Sequence, residues 1–226
     1  MRIAVDVWCL DLAAAPAPLS ADLASLSEDE RARHAGYLVA GAALRFATAR
    51  IALRRLLSRR QGCSPAQVQI ATGEHGKPFA VGAPQLFFNV SHSDDLALIA
   101  FCDGFPVGVD VESGGWMLRE AHFAATVCST SELAWWRRNE TIDASALLRL
   151  WVRKEAVLKA RGVGLSHPVS DLDLGDPAES TGVHVGGVGS RVSWRDLALP
   201  RAAIGAVGIV TDLASAIDVT LRSGAS

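Results

Sequence analysis

The predicted helices and strands of this chain fall into two blocks of the same kind, with helices first and strands after. In the first block, Ser27 and Glu30 form a capping-box pattern that opens a helical region reaching Arg60, with one break near residues 36–41. A short strand at residues 1–10 precedes this region. Three β-like runs follow it, at residues 68–71, 86–90 and 96–101.

The second block repeats this order. Helical segments at about 118–138 and 144–161 are followed by β-like runs at 183–188, 191–194 and 203–210. Helices followed by strands, twice, predict an α+β fold of two pseudo-symmetric lobes, each with helices packed on a small antiparallel sheet. We place the boundary near Pro106, which gives lobes of residues 1–106 and 107–226, on element order alone. A cleft between two lobes is a natural ligand site.

Two carboxylates lie in the strand that opens the second lobe. Residues 96–101 and 107–112 predict an antiparallel hairpin across this boundary. Asp110 and Glu112 share one face of its second strand, because residues two apart in a strand point the same way. Side by side they repel, so a cation or a proton must lie between them. Hard oxygen ligands suit Mg²⁺, although the solvent-exposed face of an ordinary strand is the usual interpretation of such a pair.

A later helix adds a third carboxylate and a lysine. Trp151, Lys154, Glu155 and Lys159 follow at helical spacing, and the first, third and fourth of them lie in line on one face. Taken alone, Glu155 and Lys159 are typical of an exposed ion pair. Combined with the strand carboxylates, they predict a magnesium site that handles phosphate.

The run Asn89-Val90-Ser91-His92-Ser93 closes a strand of the first block. Adjacent strand residues face opposite sides, so Ser91 is badly placed to give its proton to His92, and a serine-nucleophile interpretation is disfavoured. A histidine in a polar turn suits a phosphate oxygen, with a hydroxyl or backbone N–H from Ser91 beside it. A purely structural histidine is equally compatible with this motif.

Further basic residues are compatible with a phosphate partner. Gly76-Lys77-Pro78 sets a lysine in a rigid turn, although an exposed turn lysine is the usual explanation. The first helical region carries the arginines Arg31, Arg33, Arg45, Arg50, Arg54 and Arg55. Such rows normally form a solvated face, and periodicity does not say which of them could reach a phosphate.

Taken in order, GKP, NVSHS, GVDVE and WVRKEAVLKARGVGL resemble the signatures of the Sfp-like 4′-phosphopantetheinyl transferases, from about Ser27 to Gly164. The resemblance implies a monomer of two lobes, with coenzyme A in the cleft between them and Mg²⁺ on its pyrophosphate. It also implies the reaction: the 4′-phosphopantetheine arm moves from coenzyme A to a serine of an acyl or peptidyl carrier protein, and adenosine 3′,5′-bisphosphate is released.

The resemblance assigns roles to single residues. Asp110, Glu112 and Glu155 would be the magnesium ligands, with Glu155 as the general base for the carrier serine, or a metal-bound water in its place. Lys159 and His92 would add donors at the pyrophosphate. The implied coenzyme A contacts are Arg33, Arg45, Lys77, Pro78, Ser91, His92 and Lys159.

The sequence departs from the family pattern at two positions. Glu30 stands where some relatives have a lysine, and Tyr37 lies in a region that is arginine-rich in others, so phosphate contact on that side is either weaker or supplied by Arg31. Two other functions stay open: a magnesium-dependent hydrolase of nucleotide pyrophosphates, and a non-catalytic module that binds coenzyme A or a carrier.

Composition narrows the remaining possibilities. A hydrophobic share of 50% with 20% charged residues describes a chain with a real core. A net charge of −2 without a Lys/Arg run argues against a nucleic-acid partner. Cys9, Cys63, Cys102 and Cys128 are scattered without metal spacing, which indicates a reducing compartment. No signal peptide or membrane-length apolar stretch stands out, so we expect a cytoplasmic protein with no membrane partner.

Overall fold

A computed structural model describes residues 2–113, 120–139, 144–163, 167–185, 191–211 and 216–224. The helices in these ranges are α1 (Ser20–Leu23), α2 (Glu28–Ala35), α3 (Ala40–Gln61), α4 (Glu120–Val127), α5 (Thr130–Arg138) and α6 (Ala144–Arg161). The strands are β1 (Arg2–Asp11), β2 (Ile70–Thr72), β3 (Pro78–Ala80), β4 (Leu86–Ser93), β5 (Leu96–Asp103), β6 (Val107–Glu112), β7 (Thr181–Val185), β8 (Arg191–Ala198), β9 (Ile204–Thr211) and β10 (Ala216–Ser223). The predicted α+β fold is confirmed.

The local helix signals are confirmed in part. Ser27 accepts a hydrogen bond from the Glu30 N–H, and the Glu30 carboxylate accepts one from the Ser27 N–H, as the capping box predicts. The predicted break appears between α2 and α3. The helix predicted at 118–138 is wrong as one element. Within its described part the chain forms α4 and α5, because Ser129 and Glu132 make a second capping box that begins a new helix.

The described strands form two four-stranded sheets, with orders β10-β1-β5-β4 and β6-β9-β8-β7, and β2 and β3 make a separate hairpin. All of these pairs are antiparallel except β1 with β10, which is parallel. Strand β10 therefore lies in the first sheet, although the boundary at Pro106 grouped residues 107–226 together.

The hairpin predicted between residues 96–101 and 107–112 is wrong. Strand β5 pairs with β4 and β1, whereas β6 pairs with β9. The tight turn lies instead before β5, where Asp94 adopts a left-handed φ of 49°. Residues Leu96 to Cys102 are buried without alternation, which is typical of an interior strand that has neighbours on both sides.

The described elements named below pack in four layers. Val7, Cys9 and Leu98 of the first sheet belong to one apolar cluster with Val109 and Val207 of the second. On the other face of the first sheet, α3 buries its leucines against aromatic and aliphatic residues; the contacting side chains include Leu53, Leu56, Leu57, Phe88, Ile99 and Phe101. Helix α6 covers the second sheet by packing on β6 and β9.

Strand β6 has one apolar face and one face toward α6. Its valines, Val107, Val109 and Val111, join the cluster between the sheets. Its other residues face the helix, and the approach is closest at Gly108, where an added Cβ would lie 2.2 Å from the carbonyl oxygen of Ala156. The helix can approach the strand only because this position has no side chain.

We expect Gly108→Ala to destabilise the protein by about 1–3 kcal/mol, because its methyl group would meet helix backbone that cannot rotate away. Chemical denaturation measures the effect. Gly73→Ala is the matched control, since its added Cβ would have only an ordinary contact 3.5 Å from the Lys77 carbonyl oxygen. Equal stability of the two variants would contradict the close packing of α6 on β6.

Candidate active site

The edge strands of the two sheets meet through side chains. Three alternate residues of β4 reach β6: Asn89 accepts a hydrogen bond from the Val109 N–H (3.0 Å), Ser91 donates to Asp110 (2.7 Å) and Ser93 donates to Glu112 (2.7 Å). We call this contact, residues 89–93 beside 109–112, the β4–β6 seam. Strand alternation explains it, because residues 89, 91 and 93 share one face.

Lys159 joins the seam from α6. Its ammonium donates to Asp110 Oδ1 at 2.6 Å and to Ser91 Oγ at 3.0 Å. The side chain of Asp110 is 6% exposed and that of Lys159 is 27% exposed, so the carboxylate is shielded from water and the ammonium is partly accessible. Hydrogen bonds between charged groups are shorter and stronger than neutral ones, so Lys159 holds one oxygen of Asp110 firmly.

Glu155 lies one helical turn before Lys159 and interacts with the same charges. Burial raises the pKa of Glu155 to about 7, and the negative charges of Asp110 and Glu112 add to the effect, while Lys159 opposes it. Burial also raises the pKa of Glu112, against the lowering effect of the Ser93 hydrogen bond. We call Asp110, Glu112 and Glu155 the carboxylate cluster. If all three carboxylates are ionised, their mutual repulsion requires a second cation in addition to the Lys159 ammonium.

Two oxygens of the cluster fit such a cation. Asp110 Oδ2 and Glu155 Oε1 are buried and have no hydrogen-bond partner. A buried carboxylate oxygen without a partner is costly, and such an oxygen is a suitable ligand for a hard divalent cation such as Mg²⁺. Within the described residues, no three His, Cys, Asp or Glu side chains already surround one point as metal ligands. The cluster would therefore have to draw together around an ion.

The third and fourth residues of the NVSHS motif, Ser91 and His92, have their side chains on opposite faces of β4. Ser91 is buried at the seam, whereas His92 is exposed and alternates onto the face of β4 that carries Phe88, toward α3. Their side chains point away from each other, which agrees with the argument against a serine nucleophile. The phosphate role of His92 stays a prediction.

Most of the helix arginines are held by acidic or carbonyl partners. Arg50 and Arg54 bind Glu30, Arg55 binds Asp22, and Arg31 binds the carbonyl of Leu26. Glu30, the departure from the family pattern, thus engages two of the arginines that periodicity could not sort. The spacing of the arginines alone did not predict that Glu30 would bind Arg50 and Arg54.

Three of the implied coenzyme A contacts have partners outside the carboxylate cluster. Arg45 pairs with Asp95 at 3.2 Å, with 41% of its side chain exposed. The Arg33 guanidinium lies over the Phe46 ring, 4.9 Å from its centre. Lys77, beside Pro78, donates to backbone carbonyls. The binding roles of these residues stay predictions.

The lysine of the Lys-Glu pair has a structural partner that sequence reasoning missed. The Lys154 ammonium is wholly buried and donates to Glu132 (2.5 Å) and to the carbonyls of Val127 (2.7 Å) and Leu172 (2.6 Å). Glu132 also accepts from the N–H groups of Ser129 and Leu174. The Ser129–Glu132 capping box marked this glutamate in the sequence. Lys154 fixes α6, and the next residue, Glu155, belongs to the site.

The fold and the site together define an α+β protein whose acidic, lysine-bearing centre lies where two sheets meet. Within the described residues, no helix is long and apolar enough to cross a bilayer. Residues 106–197 match the model of the 4′-phosphopantetheinyl transferase superfamily, and residues 14–103 match that of the 4′-phosphopantetheinyl transferase N-terminal region.

Curated relatives agree with these matches. The 4′-phosphopantetheinyl transferase HetI of Nostoc sp. is 30% identical over 172 residues, which are 72% of this chain and 70% of the relative. A putative 4′-phosphopantetheinyl transferase of Synechocystis sp. is 36% identical over 63% of this chain and 59% of its own length. The 4′-phosphopantetheinyl transferase Sfp of Bacillus subtilis is 29% identical over 55% of this chain and 54% of its own length. The chain therefore spans little more than half the length of these last two relatives, and it belongs to the 4′-phosphopantetheinyl transferase family.

Proposed function

We propose that this chain transfers the 4′-phosphopantetheine arm of coenzyme A to a serine hydroxyl of an apo acyl or peptidyl carrier protein. Adenosine 3′,5′-bisphosphate leaves. The observation that carries the proposal is the gathering of Asp110, Glu155 and Lys159, from β6 and α6, at the β4–β6 seam. The family to which the chain belongs, and the names of the relatives, support the same reaction.

We propose that the carboxylate cluster holds Mg²⁺. Support comes from Asp110 Oδ2 and Glu155 Oε1, which are buried without partners. Bound Mg²⁺ supplies Lewis-acid stabilisation of charge on the coenzyme A pyrophosphate. Ser93 supports this role by orienting Glu112 through its 2.7 Å hydrogen bond.

The reaction forms one bond and breaks one. The carrier serine oxygen bonds to the phosphorus that bears pantetheine, and the bond from this phosphorus to the bridging oxygen of the adenylate breaks. Positioning and charge stabilisation dominate phosphoryl transfer. Glu155 would take the serine proton as the general base. Lys159, with three N–H donors, would turn one of them to the departing phosphate.

The remaining assignments concern partners and location. We propose that the chain acts as a monomer in the cytoplasm, with coenzyme A and a carrier protein as its partners. The free thiols of Cys9, Cys63, Cys102 and Cys128 support a reducing compartment. Arg33, Arg45 and His92, which are not part of the carboxylate cluster, are our candidates for the phosphate contacts of coenzyme A.

One mass-spectrometric experiment tests the reaction. The protein is mixed with coenzyme A, Mg²⁺ and an unmodified carrier domain, and the carrier should gain the mass of one phosphopantetheine arm. A carrier with its acceptor serine replaced by alanine, and a reaction without Mg²⁺, are the controls. A pyrophosphate hydrolase would consume coenzyme A without changing the carrier mass, and a binding module would change neither molecule.

A further inference from the structure

We propose that Lys77 is a positioning residue that clamps the end of α6 and the start of β6 to the β2–β3 hairpin, and that it is not a ligand of the 3′-phosphate of coenzyme A. The contacts behind this inference are independent of the reaction. Its kinetic consequence rests on the proposed function.

The clamp consists of two hydrogen bonds from one ammonium group. Lys77 Nζ donates to the carbonyl oxygen of Ala160 at 2.8 Å and to that of Val107 at 3.0 Å. Ala160 lies in the last turn of α6, and the carbonyls of a last turn have fewer backbone donors than those of a helix interior. A positive charge at the C-terminal end of a helix also interacts favourably with the helix dipole. Lys77 thus supplies a side-chain donor to a carbonyl at the end of the helix.

The side chain of Lys77 passes tightly across the helix end. Its Cδ lies 3.2 Å from where a Cβ would stand at Gly162, a residue with a φ of +75°. Lys77 also lines an apolar cavity of about 430 Å³, whose other lining residues include Pro78, Phe87 and Pro106. Burial lowers the pKa of Lys77 to about 8. Two of its three N–H donors are engaged in this setting, unlike a cation that awaits an anion in solvent.

The use of lysine in this chain points the same way. There are three lysines and nineteen arginines. Lys154 donates to Glu132 and to three carbonyls, and Lys159 donates to Asp110 and Ser91. Each lysine therefore joins acceptors from separate elements at a single point. A compact ammonium suits this task, whereas the planar guanidinium suits paired contacts with carboxylate or phosphate.

The clamp lies at the ends of the two elements that build the site. Ala160 directly follows Lys159 on α6, and Val107 is three residues before Asp110 on β6. Fixing both ends to one ammonium sets how the helix lies along the strand. The distance between Glu155 and Asp110 depends on that placement.

The test compares Lys77→Met with Arg45→Met, which removes an exposed cation. Binding of coenzyme A and of 3′-dephospho-coenzyme A is measured by calorimetry, turnover by carrier modification, and backbone order by hydrogen–deuterium exchange. For Lys77→Met we expect the ratio of the two dissociation constants to stay within twofold of the unsubstituted protein. We also expect at least a tenfold lower kcat and at least tenfold faster exchange in the last turn of α6. For Arg45→Met we expect the ratio to fall toward one.

Two results would overturn the clamp: a binding ratio that falls toward one in Lys77→Met, or unchanged exchange at the end of α6. Lys77→Gln is the second variant, because it keeps one N–H donor group without charge and should show smaller changes of the same kind. If the unsubstituted protein fails to modify any carrier, the proposed function fails. The exchange measurement still decides the clamp in that case, since it needs neither coenzyme A nor carrier.

Discussion

The Glu155→Gln variant is expected to lose carrier modification by about 10²–10⁴-fold in kcat/KM, the range for removal of a general base. Coenzyme A binding should be largely retained, because Lys159 and the basic residues outside the carboxylate cluster are unchanged. Glutamine keeps the shape of the side chain but can neither take the serine proton nor neutralise a cation. Carrier mass spectrometry and calorimetry with coenzyme A measure the two properties separately. Near-normal turnover would remove Glu155 from the mechanism.

The same variant should be more stable than the unsubstituted protein when metal is absent and the pH is high. Burial and the charge of Asp110 raise the pKa of Glu155 from 4.5 to about 7, so folding favours its protonated form. Its contribution to stability is complete below pH 4.5 and is lost as the pH rises through 7. At pH 8 with a chelator, we expect Glu155→Gln to gain up to about 3 kcal/mol.

Urea titrations at pH 4.5 and pH 8 test this linkage, since the advantage of Glu155→Gln should shrink toward the acidic condition. Adding Mg²⁺ at pH 8 should stabilise the unsubstituted protein more than the variant, because ligand binding to the folded state adds to its stability. The same stability difference at both pH values would contradict a buried, proton-linked carboxylate at this position.

The second large effect concerns the ion pair beneath the site. Lys154→Met should destabilise the fold by about 3–5 kcal/mol, the usual effect of leaving a buried charge without its partner. Both side chains of the Lys154–Glu132 pair are 0% exposed, and Glu132 would keep a negative charge that water cannot reach. Unfolding in urea measures the loss.

Two comparisons sharpen this experiment. Arg149→Met removes an exposed cation from the same helix, 4.0 Å from Asp196, and should change stability by less than about 1 kcal/mol. Adding Glu132→Gln to Lys154→Met removes the stranded charge and keeps one of the two oxygens that accept from the N–H groups of Ser129 and Leu174, so it should recover part of the loss. If Lys154→Met alone stays within 1 kcal/mol of the unsubstituted protein, the pair does not anchor α6.

Sequence periodicity predicted the faces of the elements well and their neighbours poorly. Alternation placed Asp110 and Glu112 opposite Val109 and Val111, and these valines do lie in the core between the sheets. The predicted partner of β6 was wrong, because β6 pairs with β9, whose residues lie about a hundred positions away in the sequence. Whether two apolar strands pair depends on which surfaces each of them must bury, and local sequence does not record this.

The candidate site was predictable for a related reason. Local spacing predicts which residues share one face of α6 and which share one face of β6. The only further assumption was that these two faces contact each other. The tasks of Lys77, Lys154 and Glu30 could not be read in this way. Their partners are backbone carbonyls or side chains of distant elements, and such acceptors leave no pattern in the sequence around the charged residue.

The scarcity of lysine has a practical consequence for studying this protein. Reagents that acylate amines usually decorate the whole surface of a protein, but every lysine side chain here is engaged in the interior or at the β4–β6 seam. Lys159, 27% exposed, offers its amine beside the carboxylates, whereas Lys154 becomes reachable only when the chain opens. Acylation at these two positions therefore reports separately on occupancy of the site and on unfolding.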